Sequence, residues 1–272
     1  MKHDDFRYMR RGKQLSGLTQ EELSLLKPIN QYGKRKEHAL LILHGFSSSP
    51  AVYRYLIPEL KNYDAIVCPV LPGHAESIEA FSHSKAKEWY LTANKACEVL
   101  INEYKKVDVL GLSLGGLLAC ELSQQFNLNH LYLLAPALKL HIRVNLMLKI
   151  AQLLRFFGFH HLRNNAGNLL TNERAEIAYR KLPIASIIEM LTLAKQYHWV
   201  APTCPVDLFL GSHDEVVDSN QVAELFTHLP NVTIHWLKNS AHVLPLDNDL
   251  NDIIKRINKT NLMCHEALVE NI

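Results

Sequence analysis

From residue 38 onward the chain alternates short apolar runs with longer stretches whose apolar residues recur at helical spacing. The runs fall at residues 38–43, 65–68, 107–112, 130–134, 206–210 and 232–237 and are rich in Val, Ile and Leu. Continuous rather than alternating apolar runs are what strands covered on both faces require, so the pattern predicts a parallel sheet with crossover helices. Helices are expected at 50–60, 85–104, 114–126, 220–228 and 249–259. For the first of these, Pro50 suits an opening turn because its missing N–H is no loss there, and Ser49 precedes it as a cap.

The alternation breaks between residues 136 and 205, where no strand is predicted and two helix-like stretches dominate. Within 144–159, Asn145, Lys149, Gln152 and Arg155 form one narrow polar stripe. Leu146, Met147, Ile150, Leu153, Leu154, Phe156 and Phe157 cover the remaining circumference, so this helix is expected to need apolar contact on more than one side. The second stretch, 173–197, carries Ile177, Leu182, Ile184, Ile187, Ile188, Leu191 and Leu193, with Pro183 ending or kinking its first part. The chain therefore divides into a leader (1–36), an α/β core (37–135 and 206–272) and a helical insertion (136–205).

A length of 272 residues fits one α/β domain with an insertion, and 48% hydrophobic with 21% charged residues is ordinary globular usage. A net charge of +2 creates no strong field, and no basic run is interleaved with aromatics, so nucleic acid is not an expected partner. The leader holds nine Lys or Arg against four acidic residues, leaving +5 there and −3 in the rest. It reads as a solvated arm packed loosely on the domain, with contact to an anionic surface as the alternative. Five cysteines without a C-x-x-C pair point to reduced thiols. Fifteen histidines include no H-E-x-x-H, and the adjacent His160 and His161 have no third ligand near them in sequence, so no metal is expected. The first fifteen residues lack the apolar stretch of a secretory signal, and no run of 18 apolar residues occurs, which leads to the expectation of a soluble cytoplasmic protein.

Gly111-Leu112-Ser113-Leu114-Gly115 matches G-x-S-x-G, a pattern that puts a serine on a sharp turn between a strand and a helix. Both glycines have a steric reason, since residues two before and two after the serine crowd such a turn unless they lack a Cβ. A serine hydroxyl is a poor nucleophile without a base in reach, and that base needs a partner to fix its tautomer. Asp214 follows the fifth apolar run and His242 follows the sixth, so loops leaving parallel strands at one sheet edge would bring the two to Ser113.

Each assignment has a rival. Ser113 as a mere helix cap leaves the flanking glycines unexplained. Asp218 is better placed to cap the helix near residue 220, and Glu215 points away if Asp214 points in. His235 lies inside a strand, and His213 is too close to the aspartate in sequence to be its target. The developing oxyanion needs N–H donors. The amide of Leu114 is one candidate, and the amide of Phe46, in a loop where Gly45 lets the backbone come close, is the other. His44 is considered for substrate contact, against the reading that it braces its loop.

Leu43-His44-Gly45-Phe46, Leu71-Pro72-Gly73-His74, Gly111-Leu112-Ser113-Leu114-Gly115-Gly116, Gly211-Ser212-His213-Asp214 and Ser240-Ala241-His242-Val243 occur in this order over residues 38–260. Together they resemble the bacterial carboxylesterase and monoacylglycerol lipase branch of the α/β-hydrolases. The resemblance implies an α/β-hydrolase fold, a mostly parallel sheet flanked by helices with a small helical cap. It also implies serine esterase activity on medium-chain esters or monoacylglycerols, no cofactor, and Phe46 with Leu114 as oxyanion donors. Ala75 stands where the family often has a second glycine, and the basic leader has no counterpart.

If 144–159 lies over Ser113, then Leu146, Ile150, Leu153, Phe156 and Phe157 would line an acyl pocket, each buried substrate CH₂ adding about 0.8 kcal/mol. Core packing and rest on a membrane surface through Lys149 and Arg155 are the competing readings. Thioesterase, acyltransferase and carbon–carbon hydrolase chemistry on the same triad, and a non-catalytic scaffold, are the alternative functions.

Overall fold

A computed structural model describes residues 3–269. The chain opens with three short strands, β1 (Phe6–Arg10), β2 (Lys13–Gly17) and β3 (Ile29–Tyr32). Then come β4 (His38–Leu43), β5 (Ala65–Cys68), α1 (Ile78–His83), α2 (Ala86–Glu103), β6 (Lys106–Leu112), α3 (Leu114–Ser123) and β7 (His130–Leu134). The next segment carries α4 (Val144–Phe156), β8 (His161–Arg163), β9 (Glu176–Tyr179), β10 (Lys181–Pro183) and α5 (Ile184–Gln196). β11 (Val206–Gly211), α6 (Ser219–Phe226), β12 (Val232–Leu237) and α7 (Leu250–Val269) complete it.

The main sheet has seven strands in the order β12-β11-β7-β6-β4-β5-β3, parallel throughout except for β3, which runs antiparallel to β5 at the edge. Successive residues of a strand face opposite ways, and here both faces are covered. Leu41, Val109, Leu131 and Leu208 pack in one layer with Trp89 of α2 and Leu118 of α3. Leu40, Leu110, Tyr132 and Phe209 pack in the other with Ile253 and Ile257 of α7. This double burial is the physical origin of the unbroken apolar runs. The strand order reverses between β4 and β6, and the loops leaving those two strands open a crevice at the carboxyl edge.

On the α7 face, toward the amino ends of the strands, a line of polar side chains crosses the sheet. His38 Nε2 lies 2.9 Å from Asp108 Oδ2, and Tyr63 donates to the same oxygen at 2.9 Å. Farther along, Asp207, fully buried, meets His130 at 3.0 Å, His235 at 2.6 Å and Arg256 of α7 at 2.8 Å. Charge this deep is tolerated only where each oxygen is bonded.

Three expectations are corrected. The leader is not a loosely packed arm: β3 completes the main sheet, β1 and β2 form a second sheet with β9 in the order β2-β1-β9, and Phe6, Met9, Leu18 and Leu26 are buried. Its pairing partner lies some 170 residues away in sequence, which local pattern does not reveal. Residues 50–60 form two 3₁₀ turns, Pro50–Tyr53 and Ile57–Glu59, instead of a helix. Ser49 makes no side-chain cap, and Pro58 withholds the N–H that a continuous helix would need. Within 136–205 there are three short strands, and only Ile184–Gln196 of the stretch 173–197 is helical, with Pro183 directly before it. Among the described residues no helix is long and apolar enough to cross a membrane.

Candidate active site

Ser113 sits between β6 and α3 with φ 53° and ψ −113°, a left-handed conformation that strains a non-glycine residue. The glycines around it are sterically required. A Cβ on Gly111 would stand 2.3 Å from the Gly115 carbonyl oxygen, and one on Gly115 would stand 2.1 Å from that of Leu43. The turn is fixed on its far side by Ser113 N–H donating to Leu134 O at 3.0 Å and Ala137 N–H donating to Ser113 O at 3.0 Å.

The loops after β11 and β12 are zipped together at their base, Ser212 N–H to Leu237 O at 3.0 Å and His213 N–H to Ser240 O at 3.1 Å. At their tips His242 Nδ1 lies 2.8 Å from Asp214 Oδ2. The other carboxylate oxygen of Asp214 accepts the amides of Val216 and Val217, each at 2.8 Å, so three groups hold this side chain in place. The rivals are engaged elsewhere. Asp218 caps α6 through Gln221 N–H at 3.1 Å, Glu215 is exposed, and His235 is bonded to Asp207. Burial pulls the His242 pKa down, but the charge and hydrogen bond of Asp214, with Glu176 adding, outweigh it and hold the ring above the ordinary histidine value. Ser113 and His242 are both buried, at 8% and 9% exposure, with no hydrogen bond between hydroxyl and ring.

Phe46 follows β4 and is anchored by ring contacts to Phe81 at 5.2 Å and Trp89 at 5.9 Å. Neither Phe46 nor Leu114 spends its amide N–H on another described residue. Gly45 brings this loop to Ser113, but a Cβ there would meet Ser113 Cβ at 3.5 Å, an ordinary contact, so space alone does not demand glycine. His44 is fully buried, its Nε2 accepting from Leu71 N–H at 3.1 Å and its Nδ1 donating to Gly45 O at 3.0 Å. Both nitrogens are used, and burial lowers its pKa to about 4, so His44 braces the loop as a neutral ring instead of contacting substrate.

The residues expected in an acyl pocket lie mostly at the surface. Leu146, Ile150, Leu153, Phe156 and Phe157 are 51%, 39%, 55%, 83% and 67% exposed, so they do not join the core. α4 fully buries only Leu148 and Ala151, a narrow line one helical turn long, with Val144 and Leu154 half-buried beside it and most of its other apolar side chains exposed. Sequence reasoning missed two groups that the fold brings to the His242 loop. Asn168 is half-buried beside it, and Glu176 is buried, its pKa raised by that burial although Gly167 N–H donates to it at 2.8 Å. Both come from an irregular or non-locally paired part of the insertion, where no period marks them. Among the described residues no group of three or more His, Cys, Asp or Glu is arranged to hold a metal ion.

Comparison with known proteins agrees with this architecture. The chain is 26% identical over 231 residues to the thermostable monoacylglycerol lipase of Bacillus sp. strain H-257, covering 83% of this chain and 90% of that one. Among solved structures, a metagenome-derived lipolytic enzyme from the LipS and LipT work superposes with TM-score 0.77 at 22% identity, covering 88% of this chain and 98% of that one. The monoacylglycerol lipase of Paleococcus ferrophilus superposes with TM-score 0.67 at 18% identity, with the same coverage of 88% and 98%. A family model described as the alpha/beta hydrolase family matches residues 40–253, more than half of the chain. The elbow at Ser113, the seven-stranded sheet and this match together make the chain a member of the alpha/beta hydrolase family.

Proposed function

We propose that the protein is a serine esterase acting on carboxylic esters of lipid character, monoacylglycerols or medium-chain esters, with Ser113 as nucleophile, His242 as general base and Asp214 as its orienting carboxylate. The observation that carries this is the 2.8 Å His242–Asp214 pair at the carboxyl edge of the sheet, where the strained Ser113 elbow also lies.

In the proposed reaction the Ser113 hydroxyl attacks the ester carbonyl carbon while its proton passes to His242 Nε2. The negative oxygen that forms is received by the free amides of Phe46 and Leu114, each such donor typically contributing about 3 kcal/mol. The C–O bond then breaks, His242 returns the proton to the departing alcohol, and an acyl-serine remains. Water, deprotonated by the same ring, releases the acid and regenerates the hydroxyl.

The lipid character rests on α4. Leu146, Ile150, Leu153 and Phe157 recur at i, i+4, i+7 and i+11, so they share one face, and all four are exposed. No Asp or Glu occurs between Glu121 and Glu173, whereas Lys139, Arg143, Lys149, Arg155 and Arg163 are all exposed. An apolar stripe on a segment that carries cations and no carboxylate fits an anionic lipid surface. It fits a second copy poorly, because a two-fold interface would set these cations against themselves.

Labelling with a fluorophosphonate followed by peptide mapping tests the nucleophile. The probe is expected on Ser113, and Ser113→Ala is expected to lower p-nitrophenyl ester turnover by at least about 10³-fold with unchanged thermal unfolding. Wild-type turnover in that variant refutes the assignment.

A further inference from the structure

Residues 136–205 stand on the loops of the proposed triad at both ends. On the way out, His141 Nε2 lies 3.1 Å from the carbonyl oxygen of Asp214. On the way back, Asn168 reaches both loops at once. Its side-chain Oδ1 accepts from His242 N–H at 3.0 Å and from Glu215 N–H at 3.2 Å, and its Nδ2 donates to Glu215 Oε2 at 3.2 Å. Its own carbonyl oxygen accepts from His242 N–H at 3.1 Å and Val243 N–H at 3.2 Å. One residue thus bonds the backbone of the proposed base and the backbone next to the proposed carboxylate.

Asparagine suits this position. Its amide oxygen carries two lone pairs, enough for two backbone donors, and its NH₂ is left to hold Glu215. The segment that presents it is itself fixed: the buried carboxylate of Asp247 accepts Leu170 N–H at 2.9 Å, Thr171 N–H at 2.8 Å and Ala241 N–H at 2.8 Å. Asp247 ties the segment to the residue before His242, and Asn168 carries the connection across to the Asp214 loop.

We propose that Asn168 is a positioning residue, which sets the distance and orientation between His242 and Asp214 by clamping the two loop tips that carry them. The inference rests on the reading of Ser113, His242 and Asp214 as a catalytic triad. The tips come from different strands, and below Asn168, among the described residues, they are joined by the two bonds at the loop bases and by the ring–carboxylate contact itself. A displacement of about 1 Å in such a constellation costs on the order of 10²-fold in rate.

The charged groups facing His242 are Asp214 from the β11 loop and Glu176 from β9, with Glu215 on the far side of Asn168. Asp214 holds the ring's pKa up, so loosening the clamp lowers it and moves the acid limb of the rate profile to lower pH. A bond that served stability alone would leave that limb where it is.

The test uses the full chain with Asn168→Ala and Asn168→Asp. It follows kcat and KM on a water-soluble p-nitrophenyl ester from pH 5 to 9, the rate of fluorophosphonate labelling at Ser113, and thermal unfolding. Asn168→Ala is expected to lower kcat and the labelling rate roughly 10- to 100-fold, with KM within about threefold and the acid limb shifted to lower pH. Asn168→Asp, made in a Glu215→Gln background so that its carboxylate does not face another, keeps an acceptor for both amides and adds negative charge. It is expected within about fivefold of wild-type kcat, with the limb at the wild-type pH or higher.

A folded Asn168→Ala with wild-type kcat and limb overturns the proposal, as does an Asn168→Asp that loses as much as alanine does. If the alanine variant does not fold, the aspartate variant decides by the same criterion. Absence of label on Ser113 in the wild type removes the triad reading and this inference with it, whereas a labelled wild type and an indifferent Asn168→Ala removes Asn168 alone.

Discussion

At the scale of single residues, the site is a set of short bonds made by groups that sequence rules recognise unequally. Ser113 was legible because its turn needs two glycines, and a Cβ at Gly111 or Gly115 would collide with backbone at 2.3 Å or 2.1 Å. Ala75, where a glycine is more usual, adopts φ 57°, which is why that position favours a residue without a Cβ. Asn168 and Glu176 were not legible, because what selects them is contact with a loop more than sixty residues away. The pH dependence belongs at this scale too. His242 must be neutral to accept the serine proton, and its pKa stands above the ordinary value of about 6.5. Hence kcat/KM is expected to fall with decreasing pH through a midpoint above 6.5. Asp214→Asn, which removes the charge that raises the pKa, is expected to lower kcat about 10³- to 10⁴-fold and move the midpoint down; steady-state rates from pH 5 to 9 check both.

Among the elements, those whose signal is their own burial were read correctly. The strands at His38–Leu43, Ala65–Cys68, His130–Leu134 and Val232–Leu237 have the limits their apolar runs predict, and the core helices differ mainly at their ends. The short strands were missed: β1 and β9 pair with each other across most of the chain, and β2, β3, β8 and β10, three to five residues long, are mostly polar or mixed. α4 is the opposite case, a helix found by its period but given the wrong surroundings, since the pattern showed apolar residues on several sides without saying which side is covered. The charge around its open face yields a prediction. Lys149→Gln with Arg155→Gln is expected to weaken binding to phosphatidylglycerol vesicles about 30-fold, at about 1 kcal/mol per cation near the surface. Binding to phosphatidylcholine vesicles should not change. Co-sedimentation measures both, and a dimer in sedimentation velocity with no vesicle binding defeats the lipid reading.

For the whole molecule, the sheet separates two kinds of polar machinery. The proposed triad lies at the carboxyl edge, and the line ending in Asp207 lies toward the amino ends of the strands, where it joins β7, β11 and β12 to α7. Burial raises the Asp207 pKa, but bonds from His130, His235 and Arg256 overcome this and hold it well below the usual carboxylate range. A depressed carboxylate contributes stability above its unfolded pKa of about 3.9 and loses it as pH falls through the folded value. Asp207→Asn is therefore expected to cost about 3 kcal/mol, lowering Tm by roughly 6–12 °C at neutral pH, with ester turnover at 25 °C unchanged and a gap that closes only in strong acid.

The pairing of β1 with β9 also bears on how the chain is made. Phe6 pairs with Tyr179, so the first strand leaves the ribosome and waits while some 170 further residues are synthesised, on the order of ten to thirty seconds at ordinary elongation rates. During that interval its edge is open to any neighbouring nascent chain. Arg7, Arg10, Arg11 and Lys13 lie on this hairpin, and repulsion between identical basic edges discourages premature association. Positive charge on this hairpin is thus expected to keep the strand available until its partner has been translated.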